Sequence, residues 1–513
     1  MWFMKNFILS IDQGTTSCRA IVFDKAGRTK GLGQKEFRQS FPQPGWVEHD
    51  ASEILSVQIE CIKEAIKNAG ISAEDIACVG ITNQRETTVV WNRQTGKPIY
   101  PAIVWQCRRT QELSEKLRHE SDHFREKTGL VPDAYFSGPK IRWILDNVKG
   151  AQELADKGRL AFGTIDTWLI WNLTKEKNHF TEPSNASRTM LFNIHTLKWD
   201  DELLDRLKIP KTMLPEVISS NGKFGNTDEA LVGFSAPILA NLGDQQAALF
   251  GQCCFEQGMG KCTYGTGSFL LTNIGTESKL MPGLLTTVAW QLEGQPATYA
   301  LEGAIFIAGA AIQWLRDGLA IIESSDETEA LAESLPSNEG VYFVPAFVGL
   351  GSPHWNSHVR GTIVGLTRGS TRAHLVRAAL ESMAYQIADV ASDMSLHAIN
   401  ISELRVDGGA TRNNFMVQFQ ADLLKVPVVR SAQVESTAWG VGALAALTCG
   451  LVKDLAELSE DWQQDSKIMP SKDRSSEYEG WQSALRGAFA AASSHHLQLT
   501  DATDRLEHEY LIT

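Results

Sequence analysis

The segment from Ile8 to Asp24 constrains the fold more than any other stretch of the chain. Two apolar runs flank a turn at residues 14–17 that is rich in glycine and hydroxyl side chains, and Asp12 closes the first run. This pattern predicts a β-hairpin whose turn offers N–H groups and hydroxyls to an anion, with a carboxylate nearby for a metal ion. A nucleoside triphosphate with Mg²⁺ needs these features. The alternative is an ordinary hairpin with a polar turn.

Length and composition limit the classes of protein to consider. At roughly 150 residues per domain, the 513 residues suggest two to four domains. The formal net charge of -13 argues against nucleic acid or an anionic membrane as the main partner. We expect no signal peptide, no membrane-spanning segment and no stable membrane association. The eight cysteines form no CxxC pair, which favours free thiols and a cytoplasmic location.

The first half of the chain alternates between strand and helix patterns. Apolar residues recur at helical spacing over residues 51–69, with Asp50 or Ser52 as a possible cap and Gly70 as a stop signal. A buried strand is predicted at Ile76–Thr82, and others at Leu160–Thr164 and at 238–241. Such alternation predicts an α/β architecture.

A second hairpin pattern occurs at Lys261–Leu271, where a turn rich in glycine, threonine and serine again joins two strands. Its likeness to the first suggests two similar halves that share a cleft. We place the domain boundary near residue 252, giving domains of residues 1–252 and 253–513. In the second half, a helix is predicted at Ile305–Gly318 and another at His374–Tyr385. The strand Leu404–Asp407 runs into a Gly-Gly turn and a helix, which could form a nucleotide site or be a tight connection.

Asp244 is a candidate general base. It follows an apolar strand at the point where a helix begins, and ligands of open α/β sheets gather at the carboxyl ends of strands. Its carboxylate could accept a proton from an acceptor hydroxyl or help hold a metal ion. The alternative is a helix N-cap, a position that Asp favours.

Arg85 and Glu86 follow another predicted strand. An Arg donor beside a carboxylate acceptor suits a small neutral polyol, because hydroxyls both give and accept hydrogen bonds. To hold one ligand together, the two residues must lie in the loop beyond the strand. Trp105 and Tyr135 could form apolar walls for a carbon chain. The alternatives are a surface ion pair and ordinary core packing.

Together these segments resemble the FGGY carbohydrate kinase family, within the actin-like ATPase superfamily, from about residue 5 to about 455. The NQRETT and WQCRR segments are similar in particular to family members that phosphorylate glycerol. The motifs that carry the resemblance are IDQGTTSCRAIVFD, NQRETT, WQCRR, YFSGPKIRWILDN, FGTIDTWLIWNLT, NASRTM, GDQQAALFG, TYGTGSF, ALEGAIFIAGAAIQWLRD and RVDGGATRNNF.

The resemblance implies two actin-like domains, each a mixed sheet flanked by helices, which close over a catalytic cleft. It implies ATP-dependent phosphorylation of glycerol to sn-glycerol 3-phosphate, with Mg²⁺ and with Asp244 as general base. The glycerol-binding residues would be Arg85, Glu86, Trp105, Tyr135, Asp244, Gln245 and Phe269. Asp12, together with Asp244, would hold the metal. The residues expected to meet ATP or ADP are Thr15, Thr16, Ser17, Arg19, Thr266, Gly309, Gln313, Gly409 and Asn413, and Arg19 would also assist catalysis.

Assembly and regulation are less determined. The resemblance implies a homodimer or homotetramer. Some relatives bind fructose 1,6-bisphosphate through a Gly/Arg-rich loop, or are phosphorylated on a histidine by the phosphotransferase system. The corresponding stretch, Phe224–Phe234, lacks the arginine, the glycine run and the histidine, so both controls are in doubt. The tail at His495–Thr513 is expected to be peripheral.

Two other functions remain open. Another sugar or polyol kinase of the FGGY family would share the ATP elements and differ at the residues expected to hold glycerol. An actin- or chaperone-like ATPase module would explain both hairpins and the Gly-Gly turn, but it would leave NQRETT and GDQQ without a purpose.

Overall fold

The computed structural model describes residues 6–510. Predictions about residues 1–5 and 511–513 lie outside the described residues. Among the helices that are described, none has the length and apolar character needed to span a bilayer.

The strands, in chain order, are β1 (Phe7–Gln13), β2 (Ser17–Phe23), β3 (Thr29–Glu36), β4 (Gln39–Ser40), β5 (Glu48–His49), β6 (Ile76–Asn83), β7 (Val89–Asn92), β8 (Ala102–Ile103), β9 (Leu160–Gly163), β10 (Phe180–Thr181), β11 (Phe192–Asn193), β12 (Lys198–Trp199), β13 (Glu216–Val217), β14 (Gly225–Asn226), β15 (Pro237–Gly243), β16 (Met259–Tyr264), β17 (Ser268–Gly275), β18 (Leu285–Trp290), β19 (Thr298–Ile305), β20 (Tyr342–Val344), β21 (Thr362–Val364), β22 (Glu403–Asp407), β23 (Val428–Ser431) and β24 (Gln464–Ile468).

The α-helices are α1 (Ala51–Ala69), α2 (Gln111–Lys116), α3 (Ser121–Thr128), α4 (Ser137–Asn147), α5 (Ala151–Asp156), α6 (Ile165–Leu173), α7 (Pro183–Ala186), α8 (Asp201–Arg206), α9 (Glu229–Val232), α10 (Asp244–Gly251), α11 (Gly309–Gln313), α12 (Glu327–Glu333), α13 (Arg372–Leu396), α14 (Asn414–Leu424), α15 (Ser436–Cys449), α16 (Leu455–Asp461) and α17 (Ser475–Tyr510).

Two large mixed sheets organise the chain. The first has six strands in the order β14-β15-β6-β1-β2-β3, and the second has seven in the order β18-β19-β17-β16-β22-β23-β24. In the first sheet β1 pairs antiparallel with β2 and parallel with β6. In the second sheet β16 pairs antiparallel with β17 and parallel with β22. Each predicted hairpin therefore lies inside its own sheet, with further strands on both sides, and the α/β fold with mixed sheets flanked by helices is confirmed.

Helix α1 forms where the sequence predicts it. The Asp50 carboxylate accepts hydrogen bonds from the first turn, and Gly70 ends the helix in the left-handed conformation at φ 65°. The helix packs against β2 and β3. A Cβ atom on Gly31 or Gly33 would overlap α1 backbone carbonyls. These two glycines therefore let the helix lie directly on the sheet.

The prediction of one helix over 305–318 is wrong at its start. Ile305 is the last residue of β19 and pairs with Ser268, which opens β17. Helix α11 begins only at Gly309, whose N–H donates to the Gly265 carbonyl in the second hairpin turn, and the chain continues as a π-helix over Trp314–Gly318. Apolar residues of a buried strand and of a buried helix look alike in sequence, so the ladder with β17 decided the boundary.

Helix α15 links the two halves. It comes from the second half of the chain but packs against β1, β6 and β15 of the first sheet and against α10. The division of the chain at residue 252 therefore stays a prediction. The crossing with α10 depends on Gly251 and Gly440, because a Cβ on Gly440 would overlap the Ala247 carbonyl oxygen.

We expect Gly440→Ala to destabilise the protein by about 1–3 kcal/mol, the usual cost of forcing an extra methyl group into a packed contact. Thermal unfolding followed by circular dichroism measures the effect. Gly487→Ala is the control, since a Cβ there meets nothing within 4 Å and alanine favours the helix. A wild-type melting temperature for Gly440→Ala would contradict the proposed tight crossing.

Candidate active site

A cavity of about 820 Å³ lies between the two hairpin turns. Residues from both halves of the chain line it, so neither half forms it alone. Many of the residues that the sequence marked as candidates share its wall: Thr15, Thr16, Arg85, Glu86, Trp105, Tyr135, Asp244, Gln245, Thr266 and Phe269. The structure therefore brings the predicted acceptor residues, the candidate base and both turns to one space.

Asp12 and Arg19 lie behind the first turn. They face each other across the β1–β2 ladder, and Nη2 of Arg19 lies 2.5 Å from Oδ2 of Asp12. The other arm of Arg19 contacts Glu435 at 2.7 Å, just before α15. Burial raises the pKa of Asp12, and the Arg19 charge opposes that rise. Neither residue lines the cavity. Arg19 instead pairs with two carboxylates, those of Asp12 and Glu435.

Arg85 and Glu86 lie in the loop after β6, as the sequence requires for a shared ligand. Only 3% of Arg85 and 1% of Glu86 is exposed, which excludes a surface ion pair. Glu86 has φ 61°, a left-handed conformation uncommon outside glycine. Its carbonyl accepts hydrogen bonds from the hydroxyls of Ser137 at 3.0 Å and Thr88 at 3.1 Å. These bonds hold the unusual turn that points both side chains toward the cavity.

A buried charge cluster surrounds this pair. Glu302 of β19 accepts two hydrogen bonds from Arg85, at 2.6 and 3.2 Å. Arg188 donates to Glu86 at 2.6 Å and to Glu302 at 2.8 Å. Burial raises the pKa of Glu86, with Arg188 opposing it, whereas Arg188 and Arg85 outweigh the burial of Glu302 and hold its pKa below the usual range. The cluster thus contains two guanidinium groups and two carboxylates.

Asp244 is the first residue of α10, directly after β15. The cap position belongs to Gly243, so Asp244 does not serve as the N-cap. Its Oδ1 lies 3.2 Å from Nε of Arg85, and 29% of its side chain is exposed toward the cavity. Burial raises the pKa of Asp244, while Arg85 and Lys261 oppose that rise. The geometry gives a carboxylate with an open face, held by a fixed cation.

Aromatic rings form one wall of the cavity. The ring of Trp105 lies edge-on to Tyr135 at 5.7 Å and to Phe269 at 6.2 Å. The indole N–H of Trp105 donates to Oγ1 of Thr15 at 2.9 Å. The aromatic wall is therefore tied directly to the first hairpin turn.

The remaining nucleotide candidates lie outside this cavity's wall. Ser17 opens β2, and Gly309 contacts the turn of the second hairpin. Gln313 is exposed, and a Cβ on Gly409 would meet nothing within 4 Å. Asn413 caps α14 and donates to Oγ1 of Thr328 at 3.0 Å. This cavity thus gathers the predicted acceptor residues and both hairpin turns, but not the remaining nucleotide candidates.

The connection after β22 agrees with the predicted order. The strand runs into the Gly-Gly turn, residues 409–412 form a 3₁₀ turn, and the predicted helix follows as α14 from Asn414. Gly408 has φ 94°, and a Cβ there would overlap the Tyr264 carbonyl. The glycine is required by the close approach of the two strands' ends, whatever the segment binds.

Three buried charged residues escaped the sequence reasoning: Arg188, Glu302 and Lys261. Each is entirely buried. Nζ of Lys261 donates to the side chains of Gln245 and, at 3.0 Å, Thr263. Arg188 and Glu302 stand inside NASRTM and ALEGAIF, motifs that were noticed as wholes. The available signal for Glu302 was a charged residue within an otherwise apolar segment, whereas the polar segment around Arg188 offered no such signal.

Comparison with known proteins agrees with this architecture. Residues 7–251 match the N-terminal domain, and residues 260–449 the C-terminal domain, of the FGGY family of carbohydrate kinases. A protein named glycerol kinase 2 from Thermotoga maritima is 57% identical over 486 residues, covering 93% of this chain and 98% of the relative. Glycerol kinase of Bacillus subtilis is 55% identical over 495 residues, covering 95% of this chain and 100% of the relative.

Among solved structures, the crystal structure of Plasmodium falciparum glycerol kinase with ADP superimposes with a TM-score of 0.89. It is 36% identical in sequence, and the match covers 94% of this chain and 98% of that one. Similarity at this level extends over both sheets and the cavity between them. The chain belongs to the FGGY family of carbohydrate kinases.

Proposed function

We propose that this protein is an ATP-dependent kinase that phosphorylates glycerol to sn-glycerol 3-phosphate. The observation that carries the proposal is the shared wall of one cavity, where Arg85, Glu86 and Asp244 face an aromatic side. Donor, acceptor and base groups are thus placed for a small neutral polyol. Relatives at 55–57% identity over nearly the whole chain bear the name glycerol kinase. In this scheme residues 1–252 hold glycerol and phosphates, and residues 253–513 hold most of the nucleotide.

Arg85 and Glu86 bind glycerol hydroxyls, with Tyr135 and Gln245 completing the polar contacts. Trp105 and Phe269 cover the carbon chain and exclude water. The terminal hydroxyl oxygen of glycerol attacks the γ-phosphorus of ATP in line, and Asp244 accepts the proton of that hydroxyl. The bond to the β-phosphate oxygen breaks and ADP leaves.

The phosphate contacts come from both hairpins. The first hairpin contacts the phosphates through Thr15, Thr16, Ser17 and Arg19, and the second contacts them through Thr266. The residues that contact the rest of the nucleotide are Gly309, Gln313, Gly409 and Asn413. Because several of these lie outside the cavity's wall, we propose that ATP extends beyond it along the second sheet.

The residues fit a Mg²⁺ ion that arrives with the nucleotide. In the part of the chain that the structure describes, no group of three or more His, Cys, Asp or Glu side chains could hold a metal by itself. Magnesium is commonly held by one or two carboxylates together with substrate phosphates, and Asp12 and Asp244 offer such carboxylates. When bound, the ion would neutralise phosphate charge during transfer.

A cytoplasmic location is consistent with the eight cysteines, all of which carry free thiols. A homodimer or homotetramer stays a prediction, and neither the fructose 1,6-bisphosphate control nor the phosphotransferase control is part of the proposal. Residues 225–226 and 229–232 of the stretch in question form β14 and α9.

The direct test is ADP release from the purified protein with Mg²⁺-ATP, with and without glycerol. Xylulose, ribulose and gluconate are each tested in place of glycerol as alternative acceptors. Strong stimulation by glycerol alone is expected, since the wall offers one Arg–Glu pair and one base for a short polyol. ATP turnover that ignores every polyol would instead favour an ATPase module.

Asp244→Asn is expected to lower kcat by about 10²–10⁴-fold, the usual contribution of a general base. The amide keeps the shape but cannot take the proton. ADP affinity, measured by titration calorimetry, and the melting temperature should change little. A near-normal kcat would remove Asp244 as base.

Arg85→Ala is expected to raise the KM for glycerol by about 10–100-fold, the worth of a hydrogen bond from a charged donor. The KM for ATP should stay within about twofold, because Arg85 contacts no residue of the nucleotide set. Gly243→Ala is a milder perturbation, because its Cβ would lie 2.8 Å from Cγ and Cδ of Arg85 and would displace that side chain without removing it. Equal changes in both KM values would contradict the assigned role.

A further inference from the structure

Glu302 and Arg188 touch the glycerol-binding pair without lining the cavity. Arg85, Glu86 and Tyr135 line it, whereas both partners lie behind them with no exposed side-chain surface. Anything these two residues do for a ligand must act through the residues in front of them. They are therefore candidates for positioning residues rather than catalytic ones.

The contacts fix the orientation of Arg85. Its Nη1 and Nη2 both donate to the Glu302 carboxylate, at 2.6 and 3.2 Å, so one edge of the planar guanidinium faces β19. The edge carrying Nε then faces Asp244 at 3.2 Å, and Nη2 also lies 3.5 Å from the hydroxyl of Tyr135. A two-point contact of this kind fixes the plane of the group, which a single hydrogen bond would leave free to rotate.

Arg188 connects Glu86 to Glu302. Its Nε donates to Oε1 of Glu86 and its Nη2 to Oε1 of Glu302, so one guanidinium ties both carboxylates. The guanidinium carbon also lies 5.5 Å from the ring of Tyr135 and 5.4 Å from that of Phe136, which stack over it. Arg85 and Glu86 are thus held by one bridge, whose far end belongs to the second sheet.

We propose that Glu302 and Arg188 are positioning residues that set the affinity for glycerol, by locking Arg85 and Glu86 in their binding orientation across the two sheets. The proposal rests on the proposed function. Its physical basis is pre-organisation: side chains already fixed in the binding geometry lose no further freedom when the ligand arrives. Because Glu302 comes from β19 and the other three from the first half, the glycerol-binding pair is complete only when both sheets are in place.

Glu302→Gln tests the proposal. A glutamine offers one acceptor oxygen, so its NH₂ group must face a guanidinium N–H, and the two cations lose one countercharge. We expect the KM for glycerol to rise at least about tenfold, with the KM for ATP within about twofold and a smaller fall in kcat. Steady-state kinetics with each substrate varied in turn measure this split, which a general loss of stability would not produce.

Glu381→Gln is the matched control. Glu381 is 1% exposed and pairs with Arg377 at 2.8 Å on α13, outside the cavity's wall. Its loss should lower the melting temperature and leave both KM values unchanged. A second pair of variants, Arg188→Lys and Arg377→Lys, keeps the charges but removes the two-point contact, and only the first should raise the KM for glycerol.

The outcomes separate the two hypotheses. If the wild-type protein releases no ADP in response to glycerol, the proposed function fails. If the wild type is active but Glu302→Gln keeps the glycerol KM within twofold, or raises both KM values alike, the positioning role is overturned. Should Glu302→Gln not fold, Arg188→Lys decides by the same criterion. Loss of folding in both would assign the bridge to structure alone and also overturn the proposal.

Discussion

The buried bridge of Arg85, Glu86, Arg188 and Glu302 is the interaction on which the rest of the site depends. Taking four charges out of water costs several kcal/mol for each ion, and only close pairing recovers that cost. Such a cluster is a weak source of stability, because well-packed apolar residues could replace it without loss. Its value lies in orientation: Glu302 accepts two hydrogen bonds from Arg85, Arg188 donates to both Glu86 and Glu302, and these contacts hold Arg85 and Glu86 in the cavity wall.

The bridge can form only because the two sheets meet closely. Glu302 lies on β19, and its partners come from loops that follow β6 and α7. Helix α15 returns from the second half to pack on the first sheet, and glycines at its crossing with α10 bring the backbones together. Asp244 lies beside Arg85 for a different reason: β15 pairs parallel with β6, with Gly243 opposite Asn83, so both residues follow strands that end at the same edge of the first sheet.

Local sequence patterns were sufficient for much of the fold. Helix α1, strand β6 and both hairpins form where their periodicity and caps predict, because each depends on neighbours within a few residues. The loop position of Arg85 and Glu86 followed from the alternation of strand side chains. The prediction of one helix over residues 305–318 was wrong because Ile305 pairs with β17 as the last residue of a strand. No local sequence pattern reveals that contact. Arg188 and Glu302 were missed for a related reason: their partners are 102 and 217 residues away.

By itself, the sequence determined the α/β class, the two hairpins with turns rich in glycine and hydroxyl residues, the family and the residue types of the proposed acceptor site. These features reside in short motifs and in hydrophobic periodicity. The tertiary structure alone decided that Asp244 is the first residue of α10, with Gly243 rather than Asp244 at the N-cap position. It also decided that Arg19 pairs with Asp12 and Glu435. The tertiary structure further decided that Glu302 of the second sheet pairs with Arg85, and that Arg188 connects Glu302 to Glu86. Electrostatic pairing in a buried site depends on distances of a few ångströms between segments far apart in the chain, and the order of residues does not specify those distances.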